Sequence, residues 1–398
     1  MNQLNQEMIK ENEAIARTNE KIAHKIVVMS GKGGVGKSTI STNIAYGLAL
    51  NGYRVGILDA DVHGPNIALM CGVEGKKAEN LEPIEVQTNL KVVSLGMFLE
   101  KSGDPIVWRG PAKTKIIKQL IANVNWGELD FMVVDLPPGT GDEGLTIAQN
   151  LGNIDGAIIV TTPQDVALLD SGRSVKFAEM LKMPVLGIVE NMSGFSCPHC
   201  GEKIDIFDNE KVSTYRNSSI ELLGKIPLTP EIVKSGDTGK PFIYFNNGEK
   251  AAEQLHNIVN KVLDKVETKN MENEMEKESI KIALPTNDRA NVEEHFGHCK
   301  EFAFYTVSEG NVQAIDYLTA PPHEPGVLPK FLGEKGANVI ITGGMGARAI
   351  ALFKDQNIEV ILGATGALKD NLNEYLKGDL ESKGSACSHN HEDHECSH

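Results

Sequence analysis

The sequence predicts an α/β protein in two parts: a doubly wound, mostly parallel sheet, followed by a smaller α/β domain with a mixed sheet. Short apolar runs alternate with helical stretches from Lys25 to about Lys265. A glycine-rich loop at 31–38 separates the first apolar run from the first long helix. The strand and helix pattern then restarts on a smaller scale at residue 280. With 398 residues the chain is too long for one ordinary core, which agrees with two domains.

Charge and apolar patterning divide the chain into five segments. Residues 1–24 carry apolar residues at near-helical spacing and predict a short amphipathic helix, with a frayed tail as the alternative. Residues 25–265 form the first predicted domain, and the charged stretch 266–279, without apolar periodicity, is the predicted linker. Residues 280–377 form the second domain. The Cys/His-rich tail 378–398 is too short and polar to fold alone.

The predicted buried strands are Val/Ile/Leu-rich runs bounded by Gly, Pro or Asp. In the first domain they are Ile26–Met29, Val55–Asp61, Lys91–Leu95, Phe131–Leu136, Gly156–Thr162 and Val185–Asn191. In the second domain they are Ile280–Pro285, Glu301–Val307, Val312–Leu318, Val339–Thr342 and Glu359–Gly363, with helices near 327–335 and 346–356. Because several of these later strands have little chain between them, the second sheet is expected to be mixed.

Bulk composition excludes several classes of function. The chain has 54 acidic and 39 basic residues and a formal net charge of −15, which argues against broad nucleic-acid binding. No apolar run approaches the ~18 residues of a membrane span, and the N-terminus lacks a signal-peptide pattern. A cytoplasmic protein with no membrane or nucleic-acid partner is therefore expected. Six cysteines in such a chain indicate metal or redox chemistry before a disulfide framework.

Residues 31–38, GKGGVGKS, predict a phosphate-binding loop because a strand precedes them and a helix, Thr39–Leu50, follows. The glycines allow backbone N–H groups to converge on the β- and γ-phosphates of a nucleotide. Lys37 adds a positive charge, and Ser38 can place its hydroxyl on Mg²⁺. The predicted nucleotide-binding residues of this segment are Gly31, Lys32, Gly33, Gly34, Val35, Gly36, Lys37, Ser38 and Thr39.

Three aspartates end strands at the edge of the sheet where ligands bind in such folds. Asp59 and Asp61 follow one strand, and Asp135 follows another. Asp135 is predicted to coordinate Mg²⁺ directly or through water, with Asp59 supporting the ion. A helix N-cap is the alternative for a single aspartate at a strand end. Three aspartates near a phosphate loop favour a functional role.

Lys32 is a second lysine inside the loop with no evident use within one subunit, and it suggests contact with a partner's nucleotide; a solvated lysine is the alternative. The segment KGGVGKS resembles the deviant Walker A motif of the MinD/ParA/nitrogenase-iron-protein class. This resemblance implies a nucleotide-sandwich homodimer in which Lys32 stabilises charge in trans. It also implies that Asp61 orients or deprotonates the attacking water, so the expected catalytic residues are Lys32, Lys37 and Asp61.

Cys197-Pro198-His199-Cys200 is the single CxxC motif of the chain. In the cytosol such a pair can be a zinc half-site, a thioredoxin-type redox pair or half of an iron–sulfur site. A site with four thiolates then needs the tail or a second copy of the chain. A symmetric homodimer would supply two cysteines from each subunit.

Seven motifs together resemble the Mrp/ApbC family of iron–sulfur cluster carriers over roughly residues 25–265. They are SGKGGVGKST, LDADVHGPN, WRGP, DLPPGTGD, TTPQDVALLD, VENMSGFSCPHCG and LGKIPL. The resemblance implies that Cys197 and Cys200 hold a [4Fe–4S] cluster bridged between subunits. The implied partners are apo iron–sulfur proteins, which receive the cluster, and cluster-assembly scaffolds. It also implies slow ATP hydrolysis as a switch, and contact between Asn191 and the adenine base.

The segments VEEHFG (292–297) and VIITGGMGAR (339–348) resemble the NifX/NifB C-terminal domain, with an expected ribonuclease-H-like motif. This resemblance implies binding of nitrogenase-type cofactors and their precursors. His295 and Cys299 are candidate cluster ligands, with capping or packing as an equal alternative for His295. Arg348 and the glycine-rich turn Gly343–Gly346 are candidates for holding an anionic cluster through charge and backbone N–H groups.

The tail offers imidazole and thiolate side chains, which bind transition metals weakly and with little selectivity. The candidate ligands are Cys387, His389, His391, His394, Cys396 and His398. Loading of iron, buffering of nickel or zinc, and no role at all are the open alternatives.

Other functions compete with the cluster carrier. A MinD/ParA-like positioning ATPase, which would bind membrane or DNA, predicts a basic or amphipathic C-terminal targeting segment, whereas this C-terminus is Cys/His-rich and acidic. An electron-transferring reductase similar to the nitrogenase iron protein places its cluster cysteines further apart in sequence, one before and one after the strand that here ends at Asp135. This chain has no cysteines at those places. A non-catalytic metal-storage protein leaves the phosphate loop unexplained.

Overall fold

The computed structural model describes residues 3–61, 64–77, 81–94, 97, 110–196, 203–204, 220–246, 248–308, 310–322, 324, 326–380 and 382. The chain divides into two compact units, Met1–Lys269 and Asn270–His398. None of the helices in the described part of the chain combines the length and apolar character needed to cross a bilayer.

Strands and helices alternate along the first unit. Its strands are β1 (Ile22–Met29), β2 (Val55–Asp59), β3 (Ile84–Gln87), β4 (Leu90–Ser94), β5 (Leu129–Asp135), β6 (Gly156–Thr161), β7 (Val185–Glu190), β8 (Phe195–Ser196), β9 (Lys203–Ile204) and β10 (Leu222–Lys225). Its helices are α1 (Gln3–Glu20), α2 (Lys37–Leu50), α3 (Ile67–Met70), α4 (Gly110–Asn123), α5 (Asp142–Asn150), α6 (Asp165–Met180), α7 (Pro230–Asp237), α8 (Phe242–Phe245) and most of α9 (Lys250–Glu278), which continues past the boundary at Lys269.

Helix α9 includes most of the charged stretch 266–279, so the segment predicted to link the two domains is helical. Glu, Lys and Met, which are strong helix formers, dominate this stretch. A helix without apolar periodicity can therefore continue through it.

Eight strands form one sheet in the order β10-β7-β6-β1-β5-β2-β4-β3. All neighbours are parallel except β3, which is antiparallel to β4. Helices cover both faces: Val27 and Met29 belong to a core with α1, α4, α5 and α6, whereas Ile26 and Val28 belong to a core with α2, α8 and α9. These observations confirm the predicted doubly wound, mostly parallel sheet.

Strand register places the polar residues of the first unit at one edge of the sheet. Strands β1, β5 and β2 are neighbours, and Asp59 at the end of β2 pairs with Asp135 at the end of β5. Val28, near the end of β1, pairs with the same Asp135 on its other side. The glycine-rich loop leaves β1 at this edge, so three segments distant in sequence meet where parallel strands end.

The second unit has a mixed sheet in the order β13-β12-β11-β14-β15, as predicted. Its elements are β11 (Ile280–Thr286), a short 3-10 turn (Phe296–His298), β12 (Glu301–Ser308), β13 (Asn311–Thr319), α10 (Val327–Glu334), β14 (Val339–Thr342), α11 (Ala347–Asp355), β15 (Glu359–Leu362) and α12 (Leu368–Lys377). Strand β12 is antiparallel to both neighbours, and β11, β14 and β15 are parallel. Helix α12 covers one face, and α10 and α11 cover the other.

A substitution of Gly47, in the middle of α2, tests the packing of this helix against α8 and α9. A Cβ atom at Gly47 would lie 2.6 Å from Cγ2 of Val259 and 2.9 Å from Cδ1 of Ile243. Overpacking of this kind outweighs the usual helix preference for alanine over glycine. We expect Gly47→Ala to lower the free energy of unfolding of the first unit by about 1–3 kcal/mol.

Gly172→Ala in α6 is the matched control, because a Cβ there has no neighbouring heavy atom within 4 Å. This substitution should leave stability unchanged or raise it by about 0.5–1 kcal/mol. Both tryptophans, Trp108 and Trp126, belong to the first unit, so tryptophan fluorescence in a urea titration reports its unfolding. Equal effects of the two substitutions would contradict the packing argument.

Candidate functional site

The backbone of loop 31–38 is shaped by glycines. Gly34 and Gly36 have left-handed φ values of 78° and 82°. A Cβ at Gly31 would overlap the backbone of Asp170 in α6, and one at Gly36 would overlap the side chain of Asn191. Gly36 is also the N-cap of α2 and offers no side-chain acceptor to the first N–H groups of the helix. Those N–H groups are the ones that bind a phosphate.

Asp135, fully buried at the end of β5, is the centre of the polar contacts. Nζ of Lys37 lies 2.7 Å from its Oδ2 atom. The hydroxyl of Ser38 donates to Oδ2 at 2.6 Å, and the hydroxyl of Ser41 donates to Oδ1 at 2.6 Å. Both carboxylate oxygens are therefore bound, which a buried carboxylate requires.

Ser41 is a site residue that the sequence analysis missed. It lies three residues after Ser38, on the same face of α2, and is fully buried. By binding Oδ1 it leaves Oδ2 of Asp135 to Lys37 and Ser38. A hydroxyl one turn after the phosphate-loop serine, in a helix that is otherwise apolar on this side, was the signal available in the sequence.

Asp59 is fully buried beside Asp135. Its Oδ2 atom accepts a hydrogen bond from the hydroxyl of Ser94 at 2.9 Å, and Oδ1 accepts one from the backbone N–H of Asp61 at 3.1 Å. Burial, and then the charge of Asp135, raise the pKa of Asp59 to about 8. Two adjacent buried carboxylates beside the hydroxyl of Ser38 form an oxygen-donor set that fits Mg²⁺.

A cavity of about 280 Å³ lies over the loop. The loop from Lys32 to Thr39 lines it together with Asp61, whereas Gly31 packs against Asp170 instead. Asp61 is nearly buried, and its carboxylate accepts a hydrogen bond from the backbone N–H of Gly64 at 3.2 Å. The structure thus brings the residues predicted for phosphates and attacking water to one cavity.

Lys32 contacts a residue of its own chain. Its Nζ atom donates to Oε1 of Gln164, the N-cap of α6, at 2.7 Å. The hydroxyl of Ser30 donates to the Lys32 carbonyl at 3.0 Å, so the lysine backbone is held as well. The predicted action of Lys32 on a partner's nucleotide stays a prediction.

Asn191 directly follows β7 and reaches the loop. Its Nδ2 atom donates to the carbonyl of Val35 at 2.9 Å. Asn191 also lines a second cavity, of about 160 Å³, whose walls include Gly36, Thr39 and Met70. This cavity is next to the start of α2, and the predicted contact of Asn191 with the adenine base stays a prediction.

The candidate cluster ligands of the first unit and of the tail lie outside the described residues. They are Cys197, Cys200, Cys387, His389, His391, His394, Cys396 and His398. The described strands that flank the CxxC are antiparallel: Phe195 pairs with Ile204, and Ser196 pairs with Lys203. The two residues that flank the segment 197–202, Ser196 and Lys203, are therefore neighbours.

In the second unit, His295 and Arg348 line a cavity of about 710 Å³ together with Gly344 and Gly346. His298, which the sequence analysis missed, lines it too, and the two imidazole centroids are 5.7 Å apart. Its spacing of three residues from His295 was the available signal. A pair of imidazoles, a guanidinium and a glycine-rich turn suit an anionic, metal-containing ligand.

Cys299 is not among the described residues that line this cavity. It packs against the apolar core of the second unit, and burial raises the pKa of its thiol to about 12. The thiolate that binds metal is therefore disfavoured. Among the residues that the structure describes, no three His, Cys, Asp or Glu side chains form a group that could hold a metal ion.

Ser41→Ala tests how Asp135 is held. Loss of the hydroxyl leaves Oδ1 of Asp135 without its donor, so we expect the free energy of unfolding to fall by about 1–3 kcal/mol. Binding of ATP in the presence of Mg²⁺ should weaken about tenfold, as measured by calorimetry.

The matched control is Ser174→Ala, because Ser174 is also buried but donates only to the carbonyl of Asp170 in its own helix, at 3.3 Å. Its nucleotide affinity should equal that of the wild type. Unchanged ATP binding by the Ser41→Ala protein would show that Ser41 does not position Asp135.

Comparison with known proteins agrees with this geometry. Residues 21–263 match the sequence model of the ParA family described as NUBPL iron-transfer P-loop NTPase, and residues 278–378 match that described as dinitrogenase iron-molybdenum cofactor. The iron-sulfur cluster carrier protein of Methanocaldococcus jannaschii is 46% identical over 256 residues, which is 63% of this chain and 87% of the relative. That of Methanococcus maripaludis is 44% identical over 266 residues, 65% of this chain and 91% of the relative.

A solved structure is also similar. It is a nucleotide-binding protein of Archaeoglobus fulgidus in complex with ADP, 40% identical, with a TM-score of 0.51 over 57% of this chain and 91% of that chain. The resemblances predicted from the sequence are confirmed for both parts of the chain. Since the first match covers more than half of its length, the chain belongs to the NUBPL-type iron-transfer P-loop NTPases of the ParA family.

Proposed function

We propose that this protein is an ATP-dependent carrier and scaffold for iron–sulfur clusters in the cytoplasm. A homodimer binds one cluster, of the [4Fe–4S] type, through Cys197 and Cys200 of each subunit and transfers it to apo iron–sulfur proteins. One observation carries the proposal: Asn191, which is hydrogen-bonded to the phosphate loop, is only six residues before Cys197. The family assignment favours this function over a positioning ATPase or a reductase.

In the proposed ATPase site, the phosphates lie on the backbone N–H groups of residues 31–39, and Asn191 contacts the base. Ser38 and Asp135 would hold Mg²⁺ with support from Asp59, and the ion would supply positive charge beside the phosphates. Lys37, 2.7 Å from Asp135, provides the fixed positive charge beside them. Asp61, in the same cavity, orients the attacking water.

Lys32 has a different proposed role, because its side chain can leave Gln164 without disturbing the loop backbone. The hydroxyl of Ser30 holds the lysine carbonyl. The long flexible side chain is held through its terminal Nζ atom, which donates to Gln164. In the homodimer, Lys32 of one subunit adds positive charge at the phosphates bound by the other. This is the role of an arginine finger supplied in trans.

Mixing two inactive variants tests the action in trans. Lys32→Ala and Asp61→Ala proteins should each lose ATP hydrolysis by about 10³-fold or more. A mixed dimer has one site with Asp61 and the lysine of the partner both intact. Equal mixing should therefore restore about a quarter of the wild-type activity, measured as phosphate release.

A lysine that acts within its own subunit gives a different result, because every site in the mixture then lacks one of the two groups. Activity that stays at the level of the separate variants would exclude the action in trans. Lys182→Ala is the control for loss of a lysine in the same unit, and it should hydrolyse ATP like the wild type.

The second unit has a separate proposed role in binding a cofactor or its precursor. The cavity of about 710 Å³ that His295, His298 and Arg348 line is the observation that favours it. Neutral imidazoles are iron ligands, and the guanidinium suits an anionic cluster. The tail is proposed as a weak transition-metal site through Cys387, His389, His391, His394, Cys396 and His398.

Anaerobic reconstitution with iron and sulfide tests the cargo site. We expect about four irons per dimer in the wild type, read by iron and sulfide analysis and by Mössbauer spectra. The Cys197→Ala/Cys200→Ala variant should lose this cluster because both bridging thiolates are gone. A variant that ends at residue 382 should keep it.

Cys71→Ala/Cys299→Ala is the matched control, since it also removes two thiols and should retain the cluster. A full cluster in the Cys197→Ala/Cys200→Ala protein would move the cargo site to the second unit or the tail. Zinc as the only bound metal would indicate a structural site instead.

A further inference from the structure

We infer that the segment 191–196, here called the strap, transmits the nucleotide state of the phosphate loop to the cluster cysteines, with Met192 as its hinge. The strap runs from the end of β7 to the end of β8, immediately before Cys197. The inference rests on the proposed function, because it concerns the regulation of the same cluster site.

The first end of the strap is attached to the phosphate loop. Asn191 donates from Nδ2 to the carbonyl of Val35, and its side chain is so close to Gly36 that no Cβ fits there. The backbone N–H of Asn191 donates to the carbonyl of Thr161 in β6 at 2.8 Å, which holds the main chain on the sheet. A shift of the loop on nucleotide binding therefore acts directly on Asn191.

Met192 comes next and has a left-handed backbone, with a φ of 55°. Non-glycine residues rarely adopt this conformation, and where they do it is imposed by the contacts on both sides. Here Asn191 is held by the loop, and the N–H of Ser193 donates to the carbonyl of Ile226 at 2.8 Å. Met192 is thus a strained point between two anchors, which is the arrangement expected of a hinge.

The second end of the strap is attached to a residue that lines the second cavity beside the phosphate loop. The N–H of Leu228 donates to the carbonyl of Gly194 at 2.9 Å, and Phe195 forms a parallel bridge with Leu228. Leu228 and Asn191 both line the cavity of about 160 Å³ beside the loop. A ligand that enters this cavity would therefore contact Asn191 at one end of the strap and Leu228, the partner of its other end.

An ion pair between a buried glutamate and an exposed lysine supports the base of the strap. Glu190, the last residue of β7, is buried and lies 3.0 Å from Nζ of Lys225, and the hydroxyl of Ser193 donates to the same carboxylate. These contacts hold Ser193, the residue that follows Met192. Since six residues reach at most roughly 20 Å, a change at Asn191 has a short path to Cys197.

The test measures the affinity for ATP with and without a reconstituted cluster, because coupling between two sites is reciprocal. In the wild type we expect the cluster to change the Kd of a fluorescent ATP analogue by about fivefold or more. Met192→Gly removes the strain and lets the strap move freely, so the two Kd values should agree within about twofold. The variant should unfold at the same temperature as the wild type or higher.

Two controls separate the hinge from other effects. Met192→Asn keeps a residue that tolerates the left-handed conformation and should retain the wild-type ratio of Kd values. Lys182→Gly relieves another left-handed residue, with a φ of 57°, in the turn before β7, and should also retain the ratio. If Met192→Gly abolishes ATP binding, Met192→Val replaces it, because valine disfavours the left-handed backbone. A wild-type ratio of Kd values in Met192→Val then overturns the inference, and a ratio close to one supports it.

The remaining outcomes distinguish the inference from the proposed function. A wild-type ratio retained by Met192→Gly, or a wild-type ATP affinity that ignores a cluster bound at Cys197 and Cys200, overturns the role of the strap and leaves the carrier function intact. A full cluster in the Cys197→Ala/Cys200→Ala variant overturns the proposed cargo site itself.

Discussion

Burying the carboxylate of Asp135 at the end of a central strand requires hydrogen-bond donors from the segments around it. Lys37, Ser38 and Ser41 supply them, all from the first turns of α2. A buried carboxylate without such partners would cost several kcal/mol. The strand, the phosphate loop and the helix therefore have to adopt their positions together, and the other parts of the site are arranged around this contact.

The parallel sheet extends the arrangement to neighbouring strands. Asp59 is beside Asp135 because β2 and β5 are adjacent and in register, and the proximity helps to raise the pKa of Asp59 to about 8. A cation bound between the two carboxyl groups would favour the charged form of Asp59 and lower its pKa again. On the other side of β1, β6 and β7 bring Asn191 to the loop. One sheet edge thus combines the groups proposed for metal, phosphate and base.

The two units differ in the ligands they offer to a metal cluster. The first carries a pair of cysteines that directly follows the strap in the sequence. The second has a cavity lined by His295 and His298, while the thiol of Cys299 is packed against the apolar core with a raised pKa. If the proposed sites hold, thiolates in one unit and imidazoles in the other would suit different cargoes or different strengths of binding.

The fold class, the family and the phosphate loop could all be predicted from the sequence, because each depends on a local pattern: apolar runs, glycine spacing and carboxylates at strand ends. The residues that complete the sites became apparent only from the three-dimensional contacts. Ser41 and His298 join them, Gln164 binds Lys32, and Cys299 packs against the apolar core. These outcomes depend on strand register and on contacts between segments far apart in the chain, which no local pattern records.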